Sequence, residues 1–470
     1  GGITSCGRGE VSDNANYGSI YSTSSAKMIY IGGIVGIAAS DAPVIIKNNT
    51  NDKDVVLEST GKGRYIYMGG LLGIDNYEAA AVVRDFSEDT GSILGTIRCN
   101  NCEAKAEATY TYVALGGYIG RTAGDSNVTI KGANEGANIE LDMSNATLTA
   151  SQLSLGGVLG EAEGALAITD CESVNTIHIE ASSSIASGIK LMSIGGIVGL
   201  VGNGATLTNL TNKGLISWSG TNKKSNGKPV YTGGIVGHIK EGNTTITNCH
   251  NKAEFILWAY NNNVYSAASL ANHSGGIIGC YGWATTEGTI TISNCSQEGN
   301  LWTSRGSLGG IAGYVRNATI ENCSFTSGGI INNGSANIQG LAGSVVAIAA
   351  NSTISGCTGK VDVAGGTNGS VLYRVGGIAG VLEGTSTIDN CAYFGNITHY
   401  NADATKVDYV GGLAGLAENT VIIKNSKFGG TVWGDTIAAT NYTDYISNVV
   451  TNGGDAYNAT IENCSYWDGN

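Results

Sequence analysis

The stretch Gly309–Phe325 reads GGIAGYVRNATIENCSF. It returns as GGIAGVLEGTSTIDNCAYFGNI from Gly376 and as GGLAGLAENTVIIKNSKFGGTV from Gly411. A double glycine, a small apolar run, a short polar gap and Thr-Ile-x-Asn-Cys recur in that order. Further double-glycine anchors stand at Gly32, Gly69, Gly116, Gly156, Gly195, Gly233 and Gly275, and a variant, QGLAG, starts at Gln339. The steps between successive anchors run from 30 to 47 residues. The second element returns as TITNC from Thr245, TISNC from Thr291, TISGC from Thr353, TIDNC from Thr387 and TIENC from Thr460. A third follows the cysteine: a glycine and a short β-branched run, as in GLISW from Gly214 and GKVDV from Gly359.

Each repeat therefore offers three short segments with period-two alternation, rich in Val, Ile and Thr and separated by Gly, Asn and Ser. No segment keeps a helical period. Fixed self-similarity of this length predicts an all-β, right-handed parallel β-helix of about eleven three-stranded rungs. The handedness follows from the preference of parallel crossovers. Read as one domain, the chain has a partial first rung at 1–31, the array at 32–434 and a last partial rung at 435–470. With strands about 4.8 Å apart, Ile320, Ile354 and Ile388 should stack inward. The glycines should mark tight corners, and Asn322 and Asn390 turns.

Composition agrees and narrows the function classes. The 72 glycines sit beside only 2 prolines and 42% hydrophobic residues, which is not the make-up of a disordered linker. The net charge of −13 with no basic cluster argues against nucleic acid and anionic membrane. No apolar run reaches 18 residues, so no membrane insertion is expected within this segment. The opening GGITSCGRGE does not read as a signal peptide.

The strings GLLG at Gly70–Gly73 and GLAG at Gly340–Gly343 and Gly412–Gly415 resemble the GLUG motif of repeat regions in large bacterial surface proteins, including adhesins and stalks of secreted peptidases. The resemblance runs from about Ile3 to Cys464, in a relaxed form with Ile, Val or Tyr in most leucine positions. It implies a secreted, surface-attached, adhesin-like protein and transfers no catalytic residue.

Of eleven cysteines, nine occupy the repeat's fixed slot, among them Cys249, Cys295, Cys323, Cys357 and Cys391. Stacked disulfides or a metal ladder would suit such spacing. Other copies of the slot hold Asn49, Ala133, Leu210 and Ser426, so the column reads as a structural ladder of small buried side chains. CNNC at Cys99–Cys102 has zinc-like spacing without a second pair, so neither metal nor cofactor is expected.

The histidines, His178, His238, His250, His273 and His399, fall at unrelated repeat positions and read as surface or loop residues. Carboxylates are scattered, as around Glu88 and Glu161, and read as solvated loops rather than the clustered acids that glycoside or lyase chemistry requires. No catalytic set emerges. Trp218, Trp258, Trp302 and Trp433 follow the third strand, and several should project outward as ligand-contact aromatics. Sequons such as Asn294, Asn322 and Asn463 would carry glycans in a eukaryotic secreted chain.

These readings converge on an extracellular, non-enzymatic adhesin-like or structural stalk protein, with a cell-surface or host glycan or protein as partner. The alternative is a carbohydrate-active enzyme on the same scaffold. Both ends fall at equivalent points of the rung, which points to a segment of a longer polypeptide or to head-to-tail self-association.

Overall fold

A computed structural model describes residues 1–7, 9–38, 44–61, 63–75, 84–85, 93–100, 111–123, 128–131, 134–143, 151–181, 189–219, 229–257, 272–282, 288–303, 306–332, 340–365, 373–399, 409–417, 420–434, 451–452, 455–456 and 459–466. The described residues contain strands and no helix, stacked in parallel as a β-solenoid. They form two compact units, Gly1–Val230 with Gly234–Gly242, and Tyr231–Gly233 with Asn243–Asn470. Eleven first-wall strands, one per turn, lie among the described residues, in keeping with the expected count.

Each unit has three walls. In the first unit, the first wall comprises Met28–Gly32, Tyr65–Gly69, Thr111–Gly116, Ser151–Gly156 and Ile189–Gly195, paired so that Gly32, Gly69, Gly116, Gly156 and Gly195 form one column. In the second, it comprises Asn272–Gly275, Gly306–Gly309, Gly340–Gly343, Tyr373–Gly376 and Tyr409–Gly411. The second wall starts after the double glycine and ends at the Thr-Ile pair. The third wall starts after the cysteine slot. The sequence motif thus opens on a corner, and the strand preceding it is an additional element.

One anchor moves. Gly309 pairs with Gly343, and Gly343 with Gly376, so the corner of that turn is Gly343–Ser344 and not Gln339–Gly340. The string GLAG at Gly340–Gly343 is a first-wall strand. Its neighbours explain why a serine replaces the second glycine. At other turns a Cβ on the second glycine would meet a third-wall side chain: Asn51 at 2.5 Å from Gly33, or the Phe325 ring at 2.6 Å from Gly310. Opposite Ser344 stands Gly359, which leaves that volume to the serine; a Cβ on Gly359 would lie 2.1 Å from Ser344 Oγ.

The interior follows the expected columns. Ile292, Ile320, Ile354, Ile388 and Ile423 pair turn to turn and are all fully buried. Each such side chain contributes roughly 1.5–3 kcal/mol on burial. Before each cysteine slot the backbone turns left-handed: Asn48, Asn209, Asn248, Asn294, Asn322, Asn390, Asn425 and Asn463 have φ of 51–56°. Asp13, Asp170 and Gly356 take the same position, because Asn, Asp and Gly enter this region at least cost. Side chains at this position also bond from turn to turn, Asn209 Nδ2 donating to Asp170 Oδ1 at 2.9 Å and Asn463 Nδ2 to Asn425 Oδ1 at 3.4 Å. A second amide ladder is interior, Asn16 donating to Asn51 at 2.8 Å and Asn251 to Gln297 at 2.7 Å.

The Ser344/Gly359 exchange gives a double-mutant test. Gly359→Ala alone should lower the denaturant midpoint, with overpacking costing about 1–3 kcal/mol, and adding Ser344→Gly should recover part of that loss, the Tyr393 ring 2.8 Å from the added Cβ keeping the rest. Additive losses would show that the two positions do not share one volume.

Candidate functional site

The double-glycine corner is so sharp that the first two walls also meet on the face opposite the interior. In the strand Tyr65–Gly69, Ile66 and Met68 point inward, yet Tyr67 between them is also buried. It packs against Ile74, Ala114 and Ala123 in a small outer cluster flanked by Tyr30, Tyr65 and Tyr112. The third glycine of the motif permits this approach, since a Cβ on Gly120 would sit 2.6 Å from Met68 N. The result is an outer crease running along each unit.

In the first unit the crease holds a tyrosine stripe. Tyr30 stacks on Tyr67 with ring centroids 5.5 Å apart, and Tyr65 on Tyr112 at 5.4 Å. The Arg121 guanidinium lies 5.1 Å from the Tyr67 ring and Arg64 lies 5.3 Å from that of Tyr65. Arg121 Nε donates to Glu161 at 3.4 Å and Nη2 to Glu163 at 2.8 Å. The other Glu161 oxygen accepts from Gln152 and Ser154, both at 3.2 Å. Glu161 is only 7% exposed, so it is not the solvated loop residue that its sequence context implied. Burial opposes the Arg121 charge, but Glu161, Tyr67 and Glu163 outweigh it and raise the Arg121 pKa. Burial raises that of Tyr67 and keeps it a neutral phenol.

In the second unit the crease holds an imidazole. His273 lies between Tyr231, stacked at 5.6 Å, and Tyr314 at 5.2 Å, with Nδ1 2.5 Å from Ser307 Oγ. Ser307 donates onward to the Asn272 carbonyl at 3.2 Å. Cys280 lies within hydrogen-bonding reach of Tyr231, and Arg316 Nε donates to the Tyr314 hydroxyl at 3.2 Å. His273 is fully buried and His238, in the first unit, is 8% exposed, so neither is the surface residue expected. Burial pushes the His273 pKa down to about 3.

Of the four candidate tryptophans, Trp218 and Trp302 have described side chains, the Trp433 side chain lies outside the described residues, and Trp218 and Trp302 take opposite parities in their strands. Trp302 is half-buried between buried Leu301 and Thr303. Its column continues through Ile331, Ala364 and Thr398 before reaching Trp433, four turns away. Trp218 is half-buried and pairs with buried Ile179, the inward parity of its strand. Trp258, His399's side chain and Glu88 lie outside the described residues. The aromatic signal that mattered was tyrosine at two and four residues before the double glycine, as in YIYMGG.

The five ladder cysteines are buried thiols. Cys99 is in a disulfide, which removes it from any zinc pair, and Cys102 lies outside the described residues. Among the described residues no group of three or more His, Cys, Asp or Glu forms a metal cluster.

Residues 304–331 match the GLUG motif. That span covers one turn: the first-wall strand Gly306–Gly309, the corner, the second wall to Glu321, the Cys323 slot and the third wall to Ile331. The family unit is therefore a single coil of the solenoid. No curated protein and no solved structure matches the chain.

Two measurements check the crease. Removing the cation from a buried pair costs about 3–5 kcal/mol, so Arg121→Met should destabilise strongly, and adding Glu161→Gln should restore most of the loss. For His273 the folded pKa lies below the unfolded value of about 6.5, so the unfolded chain binds the extra proton. Its contribution is present above pH 6.5 and is lost as pH falls from there toward 3, at about 1.4 kcal/mol per unit. His273→Phe should flatten that part of the stability–pH curve, read by chemical unfolding at pH 7, 5 and 4.

Proposed function

We propose that the chain is a non-enzymatic repeat module of an extracellular surface protein, adhesin-like or stalk-forming, whose partner is a cell-surface or host glycan or protein. The observation that carries this reading is the contrast between wall and connection. The walls pair residue by residue from turn to turn. The segments linking the third wall to the next first wall vary from two residues, 304–305, to fourteen, 258–271. All leave and rejoin at one corner of the turn. A constant scaffold that presents variable connections along one edge is the usual plan of a repeat binding protein. The GLUG match and the net charge of −13 fit the same reading.

The polar groups of the crease support a structural role for it. Both Glu161 oxygens are engaged by Arg121, Gln152 and Ser154, and Glu163 is engaged by Arg121. The same cluster is also what a second reading would use: an Arg–Glu–Tyr constellation on a β-helix, acting on a polysaccharide.

A glycan array run beside a turnover screen on acidic and neutral polysaccharides separates the two. The expected outcome is binding without turnover, weakened by shortening the 258–271 connection and unchanged by Glu161→Gln. Turnover that Glu161→Gln abolishes would replace the binding reading with the enzymatic one.

A further inference from the structure

Five consecutive turns of the second unit carry a threonine at one outward position of the second wall. Thr245 pairs with Thr291, Thr291 with Thr319, Thr319 with Thr353 and Thr353 with Thr387, so the column runs from turn to turn in register. Each threonine precedes a buried isoleucine and therefore points away from the interior. Thr245, Thr319 and Thr353 are exposed, and Thr291 and Thr387 are half-buried. Among the described residues none of the five hydroxyls has a hydrogen-bond partner.

Two residues on, the same strands present Thr247, Ser293, Glu321, Ser355 and Asp389, with Thr247 Oγ1 and Ser293 Oγ 3.1 Å apart. Beside them stand the left-handed Asn248, Asn294, Asn322 and Asn390. Glu321 and Asp389 are the only charges in these columns, and no aromatic or large aliphatic side chain interrupts them.

We propose that this face binds crystalline ice, the threonine hydroxyls hydrogen-bonding to a row of lattice water oxygens. Spacing carries the assignment. In tetrahedral ice, hydrogen bonds of about 2.75 Å place second-neighbour oxygens about 4.5 Å apart. Parallel strands repeat at about 4.7–4.9 Å. A lattice row centred on Thr319 is out of step by about 0.3 Å at Thr291 and Thr353 and by about 0.6 Å at Thr245 and Thr387, comparable with the spread of hydrogen-bond lengths. Water on a lattice site both donates and accepts, as a threonine hydroxyl does. The branched Cβ restricts χ1, and each threonine's backbone is held by pairing on both sides, so little order remains to be imposed on binding. Each contact is weak, worth about 0.5–1.5 kcal/mol, but a solid meets the whole row at once. A dissolved sugar chain would favour aromatic platforms, which these columns lack. The inference does not rest on the glycan or protein partner proposed above, which uses the connections at another corner of the turn.

The test grows ice slowly from a solution of the full chain and compares the protein concentration in the ice with that in the remaining liquid. An inert globular protein sets the background. The wild type should enter the ice well above that background. Thr319→Lys puts a long charged side chain at the centre of the row and should lower incorporation about tenfold, through one lost contact and two neighbours held off the surface. Glu321→Thr exchanges a charge for a second-column hydroxyl and should raise incorporation. Thr358→Lys makes the same change as Thr319→Lys at an outward position of the third wall and should leave incorporation unchanged. Circular dichroism in the cold confirms that the variants keep their strands. Exclusion of the wild type to the background level, equal incorporation of Thr319→Lys and the wild type, or adsorption to crystalline cellulose in place of ice would overturn the proposal.

Discussion

The structure depends on backbone hydrogen bonding between equivalent residues of successive turns, carried through the corners as well as the strands. Ile311 N donates to the Val345 carbonyl at 2.8 Å, Val345 N to Ile378 at 3.0 Å and Ile378 N to Leu413 at 2.9 Å, all just past the double glycine. This fixes the rise at one strand spacing and forces every residue to lie against its own copy. A side chain must therefore tolerate itself above and below. Isoleucine, amides, small thiols and stacked rings meet that demand. An unpaired charge does not, which is why Arg121 sits between carboxylates of the following turn.

The same constraint explains the glycines and their exception. Walls that turn back on one another leave no room for a Cβ at Gly120 or Gly310. Where a third-wall side chain is missing, as at Gly359, the corner can carry Ser344. Stability here is a property of columns rather than of single residues, so substitutions at a corner and at the third wall facing it should be coupled.

Legibility in the sequence follows from that. The solenoid, the isoleucine and cysteine columns and the left-handed asparagines were readable because they recur at fixed offsets. The first-wall strand was not, because the residues before the double glycine vary: Tyr67, Ser154, His273 and Leu341 occupy corresponding positions. The corner at Gly343–Ser344 was hidden by a glycine-rich string four residues earlier. Burial of Glu161 and His273 arises from two walls folding outward onto each other, a contact that alternation within one strand does not announce. Trp218 and Trp302 looked related because they follow the same motif element, but they take opposite parities in their strands.

The central claim, in-register stacking through the double-glycine corners, is tested most directly by native-state amide hydrogen exchange. The account predicts that the amides of Ile311, Val345 and Ile378 exchange as slowly as those of the interior strand residues Ile320, Ile354 and Ile388. Corner amides that exchange at loop-like rates while the strands stay protected would contradict it, because the turns would then be joined by strands alone.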